Sequence, residues 1–581
     1  MGPNSMSLRM FLVMFFLVSV VVIGTLTYQN STFRIFEGFL RSNVQGGTSQ
    51  NVTTHGFGLR GTIQNIKNES LGKEGGVQNP QGTSQNEGRT KNITKADDGS
   101  KTASLTSSHA ANLDDKLLGG LLTSGFDGAS CISRMQSYLY RKVSPHKPSP
   151  YLISKLRNYE EIHASCGPNS RAYDRSMREI EHSKNNGVAT MCKYLIWNPV
   201  NGLGNQMISL ASTFLYAILT ERVLLVKLEK DKHGLFCEPF LNSTWILPEN
   251  STFWNQNHIE TYQVMLDKDR ASNSTEDLPL ALFVNLQHPF FNPEKIFHCE
   301  HTQDLLRKVP LLILQSDQFY VPSLFMTSYF DTEITKMFPE KDTIFHHLGR
   351  YLFHPSNEAW ELIIGYYETH LANANERIGI QIRVFNPEST PKQEYMDLVL
   401  SCTLNHKLLP EIGLPNPMSS TGKNHTASVK AVLVVSLYPE FGDNLRTLYL
   451  KKTTVSGEVI QVYQPSHEGN QKFNDKMHNM KAWMDIYLLS LSDVLVTSPF
   501  STFGYAAQGL GNLKPWLLSH VKKNDTHSST CERDFSSEPC YHMPPKHYCN
   551  GKLMKDFVSS FPYSRRCKDF YPGMKLGNNF V

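Results

Sequence analysis

Hydrophobic and polar positions divide the chain into three stretches. Residues 10–28 (MFLVMFFLVSVVVIGTLTY) form an apolar run without a charge. As a helix rising 1.5 Å per residue, this run spans about 28 Å, close to a bilayer's hydrocarbon core. Arg9 precedes it and Arg34 is the next basic residue after it, which predicts a cytosolic tail over 1–9 and a transmembrane signal anchor over 10–28. A cleaved signal peptide is the rival reading. The length of the run disfavours it, as do bulky Leu26 and Tyr28 where small residues would mark a cleavage site. From 29 to 130 Gly, Ser, Thr, Asn and Gln dominate and neither period persists. Such a stretch buries too little apolar surface to offset its ordering entropy, and a flexible stem is predicted.

From 131 onward short apolar runs alternate with helical periods. In the first half, 194–200 (YLIWNPV) reads as a buried strand, NGLGNQ (201–206) as a glycine turn, 207–220 as a helix and 222–228 as the next strand. LLILQS (311–316) is a third strand that leads into Asp317. In the second half strands are predicted at 377–385, 429–437, 459–464 and 493–498. Helices are predicted at about 440–451 and 476–491, and another from near Ser501. A helical stretch over 354–371 bridges the halves. Two blocks of alternating β and α predict an α/β protein with two doubly wound Rossmann-like domains, 131–360 and 361–581, facing each other across a cleft.

Composition narrows the function classes. The 581 residues carry 57 basic and 53 acidic groups, a net charge of +4, which excludes the concentrated basic face of a nucleic-acid protein. The 32 Phe, 24 Tyr and 6 Trp supply a large core and exclude a disordered chain. Asn-x-Ser/Thr sequons stand at Asn30, Asn51, Asn68, Asn92, Asn242, Asn250, Asn273, Asn424 and Asn524, all after the apolar run, as are all ten cysteines. Both point to a glycosylated, disulfide-bonded body on the far side of the membrane, with a pairing that spacing alone does not fix. Zinc held by Cys531, Cys540, Cys549 and Cys567 is the weaker reading, because the close CxxC pairs are missing.

Ligands of open α/β sheets sit beyond the carboxyl ends of the strands, so candidate chemistry is sought there. In DVLVTSPFSTFGYAAQGLG (493–511) Pro499 breaks the strand and Ser501 and Thr502 stand at a helix start. Its unpaired N–H groups and partial positive charge suit a phosphate, with Gly504 allowing close approach and the two hydroxyls adding donors; an ordinary N-cap is the alternative. Arg383 lies inside the apolar run IGIQIRVF, where it pairs with a carboxylate or neutralises a diphosphate. Gly202, Gly204 and Asn205 are a second glycine loop, equally explained by close packing. Asp317 is placed to accept a proton from a substrate hydroxyl or to cap a turn. His467 and Glu468 follow another strand, as ligand contacts or loop-shaping residues. Asp267-Lys268-Asp269 has D-x-D metal spacing but no preceding apolar strand, and a solvated loop is expected there. No metal site is predicted. Neither HExxH nor GxSxG occurs.

The strings NGLGNQMISLASTFLYAILTERVLLV, HHLGRYLFHPSNEAW, IGIQIRVF, QPSHEGNQ, CERDFSSEPCYHMPP and the long run 477–516 together resemble the plant xyloglucan fucosyltransferase family, over about 190–550. The resemblance implies a single-pass type II Golgi membrane enzyme of GT-B-like fold, acceptor side first and GDP-sugar side second. It implies inverting transfer of L-fucose from GDP-fucose to a galactose 2-hydroxyl on xyloglucan or an arabinogalactan glycan, without a metal or other cofactor. Arg383 would hold the diphosphate; Ser501, Thr502, Phe503, Gly504 and Tyr505 would cradle phosphate and nucleotide; Asp317 would be the nearest general base. Two departures stand out: Gln206 where the family pattern has Arg, and Pro499-Phe500 where it has a small residue and Trp. They keep open a related transferase with another sugar nucleotide or acceptor; a non-catalytic glycan-binding subunit on the same fold is a further alternative, disfavoured by the intact set of Arg383, Asp317 and Ser501 to Tyr505. A homodimer also stays open.

Overall fold

A computed structural model describes residues 116–182, 190–272, 278–287, 296–385, 388, 390–413, 427–450, 452–519, 530–558 and 561–578. The predicted anchor and nearly all of the stem lie outside them, as do the sequons at Asn30, Asn51, Asn68, Asn92, Asn273, Asn424 and Asn524. Among the described residues no helix is long and apolar enough to cross a membrane. Asn242 and Asn250 are exposed.

Two sheets organise the body. The first runs in the order β2 (Val223–Val226), β1 (Tyr194–Asn198), β5 (Leu311–Gln315), β4 (Ala281–Asn285), β3 (Glu260–Thr261), with every pair parallel. The second runs β11 (Cys531–Arg533), β10 (Trp516–Leu518), β9 (Val494–Thr497), β6 (Glu376–Gln381), β7 (Val429–Val435), β8 (Val459–Tyr463), parallel except for β10–β11. The central strands YLIWN, LLILQ and VKAVLVV are buried along almost their whole length, as a parallel sheet covered on both faces requires. One continuous hydrophobic cluster joins side chains of both halves, among them Phe214, Phe345, Trp483 and Leu510. The helix Leu203–Thr220 is buried on all sides, apart from Asn205 and its last residue. This single helix carries the first half's glycine string at its amino end.

Three predicted elements have different limits, each with a local cause. The strand carrying Arg383 stops at Gln381. Pro499 ends its neighbour β9, and the Arg383 N–H is taken by the Ser498 hydroxyl (2.9 Å) instead of a ladder carbonyl. Arg383 is therefore exposed beyond the strand end, not embedded in it. The glycine string is not a free turn: Gly202 is an extended N-cap, so Leu203, Gly204 and Asn205 already form the first helical turn. Asp267 and Asp269 belong to the helix Tyr262–Ser272, not to a loop.

All ten cysteines are paired, as Cys131–Cys237, Cys166–Cys192, Cys299–Cys549, Cys402–Cys531 and Cys540–Cys567, so the tail cysteines are not a zinc set. Cys299–Cys549 ties the tail to the first half of the chain, and the tail folds back there further, with Tyr563 packed on Phe325 (4.9 Å) and the Asn578 side chain accepting from the Lys341 N–H (2.8 Å).

Candidate active site

Both sheets reverse direction where the candidate residues gather. In the first, the chain leaves β1 toward β2 on one side while β5 lies on the other; in the second, it leaves β6 toward β7 while β9 lies on the other. These are the switch points at which open α/β sheets bind ligands. Gly202 and Asp317 follow β1 and β5; Arg383 and Ser498 follow β6 and β9.

The two switch points meet. Thr502 donates its hydroxyl to Asn205 Oδ1 (3.0 Å), and Asn205 Nδ2 donates to the Asp317 carbonyl (3.2 Å). A Cβ on Gly204 would lie 2.7 Å from the Phe503 nitrogen and from the Thr502 carbonyl carbon. Glycine is required here because any side chain would fill the space against the amino end of the helix Thr502–Gly511. The second glycine string thus acts by lacking a side chain, not by wrapping a phosphate. Gln206 turns back and donates to the Asn201 carbonyl (2.7 Å), lining a cavity of about 170 Å³ with Trp197, Met207 and Trp245.

The amino end of the Thr502 helix keeps its main-chain donors. Its first intrahelical bond runs from Tyr505 N–H to the Ser501 carbonyl (2.9 Å), and Ser501 Oγ, the N-cap, accepts from Gly504 N–H (3.4 Å). The N–H groups of Thr502 and Phe503 precede the first intrahelical bond and remain at the end of the helix. The hydroxyls are engaged within the protein, Thr502 with Asn205 and Tyr505 with Asp569. Of the two hydroxyls expected as donors from the sequence, that of Thr502 is taken by Asn205, while Ser501 Oγ accepts from Gly504 N–H and keeps its own proton. Gln381 Oε1 and Thr497 Oγ1, cross-strand partners at the ends of β6 and β9, are buried without a hydrogen-bond partner just beneath Gly504.

Arg383 stands beside this turn, with its guanidinium 4.7 Å above the Phe385 ring. Its surroundings are dense enough to lower its pKa by desolvation although its side chain reaches solvent, and the group stays charged at neutral pH. On the opposite side the half-buried Asp317 carboxylate is held by two amides, Asn201 Nδ2 at Oδ2 (2.7 Å) and Gln318 Nε2 at Oδ1 (2.9 Å). His467 is exposed on the loop after β8, and Glu468 accepts from Lys481 Nζ (2.7 Å). Burial alone would raise the Glu468 pKa; the Lys481 ammonium brings it below the usual carboxylate value.

The structure adds residues to which the sequence reading gave no role. In the tail, Tyr541 lies close enough to feel the Asp317 charge, and the next residue, His542, feels Arg383. Burial first, then the neighbouring cations, push His542 down to about 4 against the pull of Asp569. Tyr505 donates to Asp569 and so accepts from His542 Nε2 (3.0 Å), which makes the ring a neutral Nε2–H tautomer. Helix Lys476–Ser490 contributes Asp485, whose buried carboxyl is raised to about 8.

A helix end beside one sheet and an amide-held carboxylate beside the other, linked through Asn205, form the geometry of an α/β group-transfer site. Comparison with known proteins gives the family. The model of the xyloglucan fucosyltransferase family matches residues 90–550, and the chain belongs to that family. It is 47% identical over 468 residues to a galactoside 2-alpha-L-fucosyltransferase of Arabidopsis thaliana, covering 80% of this chain and 83% of that protein. It is 43% identical over 473 residues to the protein of that name from Pisum sativum, with the same two shares. Its fold matches a solved structure of a point mutant of Arabidopsis thaliana FUT1 in complex with GDP, with a TM-score of 0.73 and 46% identity, over 79% of this chain and all of that one.

Proposed function

We propose that this chain is a galactoside 2-α-L-fucosyltransferase that moves L-fucose from GDP-fucose to the 2-hydroxyl of a galactose on xyloglucan or an arabinogalactan glycan. The observation that carries the reading is the Thr502–Asn205–Asp317 chain of hydrogen bonds, which joins the helix end of one sheet to the main chain of the residue that bears the carboxylate of the other. In the transfer, the galactose O2 forms a bond to the fucose anomeric carbon while the bond to the diphosphate oxygen breaks, its electron pair leaving with GDP. Attack opposite the leaving group inverts the anomeric centre. Arg383 and the Thr502 and Phe503 N–H groups stabilise the charge gathering on the diphosphate, each such preorganised donor typically contributing a few kcal/mol. These groups supply the counter-charge that other transferases take from a divalent cation, and the reading is metal-independent on that ground. The O2 proton passes to Asp317, directly or through water.

The two sheets would work as the halves of a GT-B-like enzyme, with the first presenting the acceptor and the second the nucleotide. The apolar run 10–28, the sequons and the five disulfides support a type II Golgi membrane protein with a lumenal body. The deciding experiment incubates the purified full-length chain with GDP-fucose, other sugar nucleotides and a panel of galactose-bearing wall polymers. Fucose linked to galactose O2 is the expected product. Turnover with UDP sugars in preference to GDP-fucose would overturn the donor, and full activity after exhaustive chelation is expected of a metal-free centre.

A further inference from the structure

The turn that leads into the Thr502 helix is held from the far end of the chain. Phe500, immediately before the Ser501 N-cap, has φ +57°, a left-handed conformation unusual for a bulky residue. Its N–H donates to Asp569 Oδ2 (3.2 Å), and its ring packs on Phe570 (4.8 Å) and His542 (5.8 Å). The same carboxylate oxygen accepts the Tyr505 hydroxyl, one turn into the helix. One buried oxygen thus grips the chain on both sides of the N-cap. The Cys540–Cys567 disulfide sets the grip, because His542 and Asp569 each lie two residues past one of its cysteines and meet at the Tyr505 hydroxyl.

We propose that Asp569 is a positioning residue for the donor diphosphate: through Phe500 and Tyr505 it holds the Thr502 and Phe503 N–H groups at the angle the diphosphate needs. This rests on the reading of that helix end as the diphosphate site. Asp569 acts through the main chain and Tyr505 of the donor turn, so its effect falls first on the donor and reaches Asp317 only through the Thr502–Asn205 bond.

The test measures GDP affinity by calorimetry, together with KM for GDP-fucose and for the acceptor, on the full-length chain and its variants. Asp569→Ala should weaken GDP binding and raise the GDP-fucose KM at least tenfold, with a change in the acceptor KM several times smaller. Asp569→Asn, which keeps an oxygen for the Phe500 N–H, should recover to within about threefold of wild type. A merely structural tail predicts something else: a lower melting temperature with an unchanged GDP-fucose KM in the folded fraction, and that result overturns the proposal. Should the alanine variant not fold, Tyr505→Phe decides, since GDP affinity within twofold of wild type would overturn the proposal and a larger loss would support it. Failure of the wild-type chain to bind GDP at all would instead overturn the parent reading.

Discussion

Thr502 and Asn205 lie 297 positions apart in sequence and share a hydrogen bond of 3.0 Å, the hydroxyl of one donating to the amide oxygen of the other. Because Asn205 also holds the main chain of Asp317 (3.2 Å), a change in the donor turn is felt by the acceptor carboxylate. This makes the pair a coupling point between the two sheets. In a double-mutant cycle of Thr502→Val and Asn205→Ala, the effects on kcat should fall short of additivity by about 1 kcal/mol, the usual value of one such bond. Strict additivity would show that the two sites act independently.

Gly204 tests the same contact sterically. A methyl group there meets backbone at 2.7 Å, and backbone cannot swing aside as a flexible side chain can. Gly204→Ala should cost about 1–3 kcal/mol of stability as overpacking and weaken GDP binding at least tenfold, because the methyl pushes directly on the helix end. Denaturant midpoints and GDP titration of the same preparation separate the two effects; normal GDP affinity in the variant would remove Gly204 from the site.

Much of this geometry is legible in the sequence, and the rest has identifiable reasons for being hidden. The strands at 311–315 and 429–435 stand out because both faces are buried along the apolar runs 311–314 and 431–435. The helix Arg171–His182 does not, since only Tyr173, Ser176, Met177 and Ile180 are buried among charged neighbours. Arg383 stands out in the sequence as a candidate, but its strand limit depends on where β9 breaks, which is a property of a neighbour 115 residues away. Gly204 is ambiguous as a string and becomes informative only against Thr502. Nothing local in the sequence gives the tail pair His542 and Asp569 a role. Their relation to Tyr505 exists only once Cys540 and Cys567 are joined, and a pairing among ten cysteines is not readable from spacing.

Arg383 is exposed beyond its strand, and its guanidinium lies over the Phe385 ring. Its loss should therefore spare the fold. Arg383→Ala is expected to retain less than a tenth of wild-type fucosyl transfer, with a melting temperature within about 2 °C, the shift of a change smaller than 1 kcal/mol. Arg383→Lys should recover little, because a point charge does not reproduce the bidentate fork. Retention of more than a tenth of activity in the alanine variant would reassign the diphosphate counter-charge elsewhere.

Asp317 answers a different assay. Its carboxylate is oriented by Asn201 and Gln318 through amide N–H groups, contacts that an asparagine side chain can only partly keep. Asp317→Asn should lower kcat by about 100-fold or more, the typical worth of a general base, with acceptor binding measured by titration unchanged. Loss of acceptor binding without a fall in kcat at saturation would make Asp317 a binding residue only.

The last expectation concerns pH. Asp485 lies buried on the helix Lys476–Ser490 and faces Ser466, Glu468 and Lys481. Desolvation is the main cause that raises its carboxyl to about 8, with Glu468 adding to the shift and Lys481 and Ser466 opposing it. A folded-state value above the unfolded one means that the folded protein holds the proton more tightly. The stability this contributes is complete below the unfolded value near 4 and is lost as pH rises toward 8, at about 1.4 kcal/mol per pH unit. Asp485→Asn keeps the shape and removes the titration, so wild type and variant should differ most at pH 8, with the variant more stable, and converge as pH falls toward 4. Urea midpoints at pH 5, 6, 7 and 8 give the comparison. Parallel curves would mean that Asp485 is already ionised in the folded protein, with Lys481 holding its charge at neutral pH.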